Sequence, residues 1–183
     1  MDRGIQIVKL MNELRNMPEH ELYLQLQGLN ISIYTFDKNY SDLHNLINFL
    51  ASDPKAEPLF WLKNRDKLML VMRDVIRLIH NYVAASVSLI DHTRRLYDKL
   101  YTGTGKFIDY QSRIKSEFAQ DPLAQFVKCL RKYCQHYKAP ELDVTTSWSG
   151  EDGGYSRTVN LMKDDLMTFD GWLAPARKYL EPV

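Results

Sequence analysis

The chain has 183 residues, 45% hydrophobic and 26% charged, with a net charge of +1, enough to bury a core without disulfides or a structural metal. No apolar run approaches the roughly 18 residues that cross a bilayer, and the opening MDRGIQIVKLMNELRNM is amphipathic and broken by charge, so neither a membrane span nor a signal peptide is expected. The two cysteines, Cys129 and Cys134, lie five apart on one helical segment and point to different sides of it, which argues against a mutual disulfide and for a reducing, cytoplasmic setting.

Taken in chain order, residues 3–16 form an amphipathic helix with Ile7, Leu10, Met11 and Leu14 on one face. Pro18 starts a second, short helix that Gly28 stops. The stretch Asn30–Tyr40 reads as strand-like or irregular, and Ser41-Asp42 as the cap of a helix through Ala51. Asp53-Pro54 and Glu57-Pro58 mark a loop. From Arg65 to Tyr101 there is no Gly or Pro, and Leu68, Met72, Val75, Ile79, Tyr82, Leu89 and Leu96 recur at helical spacing, which predicts a helix of about 55 Å. Gly103 and Gly105 end it, a helix over 106–119 follows, and Asp121-Pro122 opens another that Pro140 limits. Leu142-Val144-Thr146-Trp148 and Tyr155-Arg157-Val159-Leu161 then alternate with polar residues around Ser149–Gly154, a β-hairpin pattern. A last helix runs to Leu180, kinked or broken near Ala174 by Pro175. It ends abruptly on Leu180-Glu181-Pro182-Val183, as a shortened chain would. The predicted fold is mainly α: an up-and-down bundle on one long central helix, in a single domain of N-terminal helices (1–64), core helices (65–140), and hairpin with C-terminal helix (141–183).

Charge follows this division. Residues 1–64 carry 6 basic and 8 acidic side chains, residues 65–140 carry 14 and 7, and residues 141–183 carry 4 and 8. A basic middle steers anions such as RNA phosphate, or is simply a set of solvated helix faces.

Arg131 and His136 bracket Lys132-Tyr133-Cys134-Gln135 at a helix end. The arginine fork fits phosphate oxygens, and histidine moves protons near neutral pH. Five residues set them about 140° apart around the axis, so a site using both needs a groove across the helix end or a second copy of the helix. The alternative is a basic C-terminal cap. A second set, Arg73, Arg77, Asn81, Ser88, Asp91, His92 and Arg95, is spaced along the long helix. It either orients Arg131 and His136 from across the bundle or forms a buried hydrogen-bond network that fixes register. His20, His44, His80 and His92 lack metal-ligand spacing. Cys134, beside Arg131 and Lys132, is either an activated or a plain thiol. Gly-rich phosphate loops, nucleophile elbows and dinucleotide fingerprints are absent from the sequence. Trp61, Trp148 and Trp172 are core or interface anchors.

Arg-x4-His at a helix end resembles the Rx4–6H motif of the HEPN superfamily. FVKCLRKYCQHYKAP resembles the LRNYxxHxxxP form of uncharacterised prokaryotic HEPN-like proteins. HNYVAASVSLIDHTRRLY, from His80 to Tyr97, is similar to their long helix, and the likeness extends through the hairpin to Asp170-Gly171-Trp172. The resemblance implies a helical bundle that forms a homodimer, with Arg131 and His136 of two protomers in one cleft. It implies a metal-independent endoribonuclease with no cofactor, in which His136 transfers protons and Arg131 holds the phosphate. Lys132, Asn81, Arg77, Asp91, His92 and Tyr137 would support the site or bind phosphate. Lys132 departs from the family, where a polar residue that can accept a hydrogen bond is usual; lysine only donates. The resemblance equally covers non-catalytic modules that bind RNA, a nucleotide or a protein, and it suggests a toxin–antitoxin-type setting with an antitoxin-like partner. A helical scaffold with Arg131 and His136 as surface caps is the third reading.

Overall fold

A computed structural model describes residues 3–148 and 155–180. The fold is mainly helical, with the long helix over residues 65–101 and a two-stranded antiparallel hairpin, as expected. Helix α1 (Arg3–Arg15) precedes α2 (Pro18–Ser52), two 3-10 turns (Pro54–Phe60 and Leu62–Asn64) and the long α3 (Arg65–Tyr101). Then come α4 (Tyr110–Ile114), a π-turn over Lys115–Ala119, α5 (Pro122–His136), β1 (Leu142–Trp148), β2 (Tyr155–Leu161), α6 (Lys163–Leu166) and α7 (Ala174–Leu180). The strands pair from Leu142 opposite Leu161 to Trp148 opposite Tyr155. The expected turn at Ser149–Gly154 and the Trp148 side chain lie outside the described residues.

The main correction falls on α2. Gly28 does not stop it, Asn30–Tyr40 is helical, and Ser41-Asp42 sits in its interior. A mid-helix glycine costs about 1 kcal/mol, but α2 runs antiparallel to α3 and packs a half-buried stripe against it that ends in the fully buried Leu50, which outweighs that cost. Ser32 meets His92, Phe36 and Tyr40 meet Tyr82, and Leu50 packs on Met72 and Val75. The polar residues that made the segment ambiguous bond back along the helix: Ser32 Oγ to the Gly28 carbonyl (2.9 Å), Thr35 Oγ1 to Ile31 (2.8 Å) and Asn39 Nδ2 to Thr35 (2.7 Å).

Two smaller corrections follow. The helix expected over 106–119 begins only at Tyr110, because Gly103, Gly105 and Phe107 all have positive φ. The C-terminal helix is broken just before Ala174, as expected, but not by Pro175: the chain turns where the Leu166 carbonyl accepts from the Trp172 indole (2.7 Å). Pro175 then sits harmlessly in the first turn of α7. Gly171 is required at this break. A Cβ there would collide with the Phe169 ring, which is wedged edge-on against Tyr133 and Trp172. Gly171→Ala is expected to destabilise by about 1 kcal/mol through overpacking, read as a lower thermal midpoint; an unchanged midpoint would show that the ring moves freely.

Two apolar clusters hold the fold. One joins Leu50, Met72 and Val75 to the hairpin residues Leu142, Val144 and Val159. The other joins Val83 of α3 to Phe126, Cys129, Leu130 and Tyr133 of α5 and to Leu166, Trp172 and Ala176. Ile79 packs against both, so α3 is the spine. Helix α1 stands apart, with every residue exposed. Among the described residues, no helix is long and apolar enough to cross a membrane.

Candidate functional site

Helix α5 is fixed at its start by Asp121, whose side chain accepts from the Ala124 amide at 2.6 Å, and by Pro122 in the first turn. Its buried stripe is Gln125, Phe126, Cys129, Leu130 and Tyr133. That stripe orients the motif. Arg131 and Cys134 lie half-buried on its flank, whereas Lys132, Gln135 and His136 face solvent. Arg131 Nε is buried and donates to nothing among the described residues. His136 has no hydrogen bond or ion pair there. The unbroken helix keeps the two side chains in different directions, as the spacing requires, so one chain does not bring them together.

The end of α5 is held by a network that sequence reading missed. Tyr133 donates to Asp165 Oδ2 at 2.7 Å, the Glu141 amide donates to the same oxygen at 2.9 Å, and Lys138 forms an ion pair with Asp165 Oδ1. Burial alone would raise the Asp165 carboxyl; hydrogen bonds from Lys138, the Glu141 amide and Tyr133 outweigh it and hold the group below its usual value. Burial, and then the bond to Asp165, push the Tyr133 hydroxyl up. The legible signal was an acidic pair, Asp164-Asp165, opening a short helix; only burial separates Asp165 from an ordinary first-turn carboxylate. Tyr137 caps α5, and its hydroxyl reaches both oxygens of Thr168 at 3.3 Å.

Beside this helix end, an open groove of about 360 Å³ lies between α3 and α5. Ile76, Cys134, Ala139 and Pro140 give it an apolar floor, and Arg73, Arg77 and His80 a basic rim. Arg77 pairs with Asp74 at 3.2 Å, both side chains being well exposed; Arg73 has no ion-pair partner among the described residues. The Cys134 thiol is pushed up to about 11 by burial, so it is a plain, protonated thiol here, and the neighbouring cations do not activate it.

The remaining long-helix residues do not gather at this groove. Asp91 pairs with Arg94 at 3.6 Å, and His92 Nδ1 shares a 2.6 Å hydrogen bond with Ser32 Oγ. Asn81 is half-buried between the two regions. Among the described residues, no hydrogen bond or ion pair joins Asn81, Asp91 or His92 to Arg131 or His136, and no group of three or more His, Cys, Asp and Glu side chains is placed to hold a metal. Trp172 is a core anchor, stacked on Phe126 with centroids 5.4 Å apart, whereas Trp61 is 47% exposed under the Lys63 ammonium.

No family model, curated protein or solved structure matches this chain.

Proposed function

We propose that the protein is a HEPN-like module that binds RNA through the α3–α5 groove. The groove carries this reading: a basic rim of Arg73, Arg77 and His80 stands over an apolar floor, beside the helix end that bears the Arg131–His136 motif. The rim would hold a phosphodiester and the floor a ribose or base edge. The excess of basic residues over 65–140 steers a polyanion to the same region. The resemblance adds a homodimer and an antitoxin-like protein partner as proposals, and the placement of the two cysteines adds a cytoplasmic setting.

A second reading, metal-independent endoribonuclease, is favoured by His136, which is exposed at the negative end of α5 and has no hydrogen-bond or ion-pair partner among the described residues. Two protomers would supply Arg131 and His136 to one cleft. The RNA 2′-oxygen then bonds to phosphorus as the bond to the 5′-oxygen breaks. Histidine takes the 2′-hydroxyl proton and protonates the leaving oxygen, giving a 2′,3′-cyclic phosphate. Lys132 serves only as a point charge on the phosphate.

A labelled oligoribonucleotide tests both. The wild type is expected to bind it, and the Arg73→Glu, Arg77→Glu double variant is not; equal binding by the two removes the RNA-binding reading. Cleavage in EDTA is expected to disappear in Arg131→Ala and in His136→Ala, and its survival in either rejects the nuclease.

A further inference from the structure

Helix α1 has thirteen residues and buries none of them. Leu10, Leu14, Ile7, Met11 and Val8 fill an arc of about 160° around its axis, and all five are exposed. Asn12, Lys9, Glu13 and Gln6 fill the opposite arc, with Ile5 among them. Lys9 and Glu13 pair with each other at 3.9 Å on that polar side. The main neighbour of α1 is α2, which it joins through Asn16 and Met17. The apolar arc therefore has no cover among the described residues, and a contiguous exposed face of this kind marks an interaction surface.

The charges say what covers it. Arg3 and Arg15 lie within the apolar arc, one at each end of the helix and about 18 Å apart. Neither has an ion-pair partner among the described residues. A second copy of α1 is therefore a poor cover. Laid parallel, each arginine meets its own counterpart; laid antiparallel, Arg3 meets Arg15, so like charges face each other at both ends. Phosphate oxygens at the edge of a lipid bilayer instead accept both guanidinium forks, while the arginine stems and the five apolar side chains enter the acyl boundary. The same end of the molecule presents a second apolar feature. Glu21 pairs with Lys99, which holds the start of α2 beside the end of α3. The loop that follows α3 puts Phe107 at φ +52°, a left-handed conformation rare for a bulky residue, and leaves Ile108 88% exposed next to the exposed Lys106.

We propose that α1 docks the protein on an anionic lipid surface. The helix lies in the plane of the interface with Ile7, Leu10, Met11 and Leu14 inward and Arg3 and Arg15 on lipid phosphates, and Ile108 dips in beside it. A zwitterionic bilayer offers the apolar half of this contact but no net negative charge, so docking depends on anionic lipid. The contact uses neither the α3–α5 groove nor Arg131 and His136, so it stands or falls apart from the RNA-binding reading.

Co-flotation of the full chain with vesicles of phosphatidylcholine, alone or mixed with phosphatidylglycerol, tests the proposal. The chain is expected to bind the mixed vesicles, and less so as salt rises. Arg3→Gln with Arg15→Gln should weaken that binding about 30-fold, taking about fivefold for each cation near the surface. Leu10→Ser with Leu14→Ser should abolish it, and Ile108→Ser should weaken it. The thermal midpoint should not move in any of these variants, because every substituted side chain is exposed in the free protein, so lost binding is not unfolding. Amide exchange over residues 3–15 should be fast in the free protein and slow on the mixed vesicles. Equal binding to the two kinds of vesicle, binding to neither, or wild-type binding by either double variant overturns the proposal. Slow exchange over residues 3–15 without vesicles also overturns it, and a mass that rises with concentration then identifies a second copy as the cover. Wild-type binding by Ile108→Ser overturns the part played by the loop.

Discussion

Reversing Arg73 and Arg77 together is expected to weaken RNA binding about 100-fold at low salt, taking roughly 1.5 kcal/mol for each charge-assisted phosphate contact. It should also flatten the salt dependence. Each lost contact with a single strand removes about 0.7 from the slope of log affinity against log salt, so the pair removes about 1.4. Anisotropy measured between about 50 and 200 mM salt reads both quantities. Neither residue supports the fold. Arg73 has no ion-pair partner among the described residues, and the Arg77–Asp74 pair, exposed on both sides, is worth little. The thermal midpoint should therefore hold while affinity falls. A slope that does not change would mean that the RNA contacts lie elsewhere, whatever happens to the affinity.

Asp165→Ala is expected to be the more damaging substitution for stability. It leaves the Tyr133 hydroxyl, on a fully buried ring, without its acceptor and frees the Glu141 amide. Leaving such groups unpaired costs about 2–3 kcal/mol in total, or roughly 5–10 °C in a chain of this size. Acid should act through the same contact. The carboxyl sits below its ordinary 3.8 in the native protein, so the unfolded chain binds protons first as pH falls. The stability that Asp165 contributes is complete above about pH 5 and is lost as the pH drops through the lowered native value. Urea midpoints at pH 6 and pH 3 should therefore differ less in Asp165→Asn than in the wild type; an equal difference would remove Asp165 from the acid response.

The long helix and the hairpin were legible because their patterns are local: 37 residues of α3 without Gly or Pro, and two runs of period two whose ends match the observed strands. Helix α2 was not, because what holds Asn30–Tyr40 helical is contact with α3, through Phe36 and Tyr40 on Tyr82 and through Ser32 on His92, sixty residues away. A one-dimensional pattern cannot weigh that contact against a glycine and a run of β-branched residues. The site divides the same way. The end of α5 and its basic character follow from Arg131, His136 and Pro140. The groove depends on which face of α3 meets α5, and that is set by Ile79 and Val83. The Tyr133–Asp165 bond spans 32 residues and leaves no trace in spacing.

Helix α1 has thirteen residues and buries none of them. A helix that short is near break-even in water without tertiary support. Its amide hydrogens should exchange with solvent through local opening at a free energy of about 1 kcal/mol or less, long before the α3 and α5 amides, which wait for global unfolding. Slow exchange over residues 3–15 in the free protein would mean that Ile7, Leu10, Met11 and Leu14 are covered in solution by something beyond a single copy of the chain.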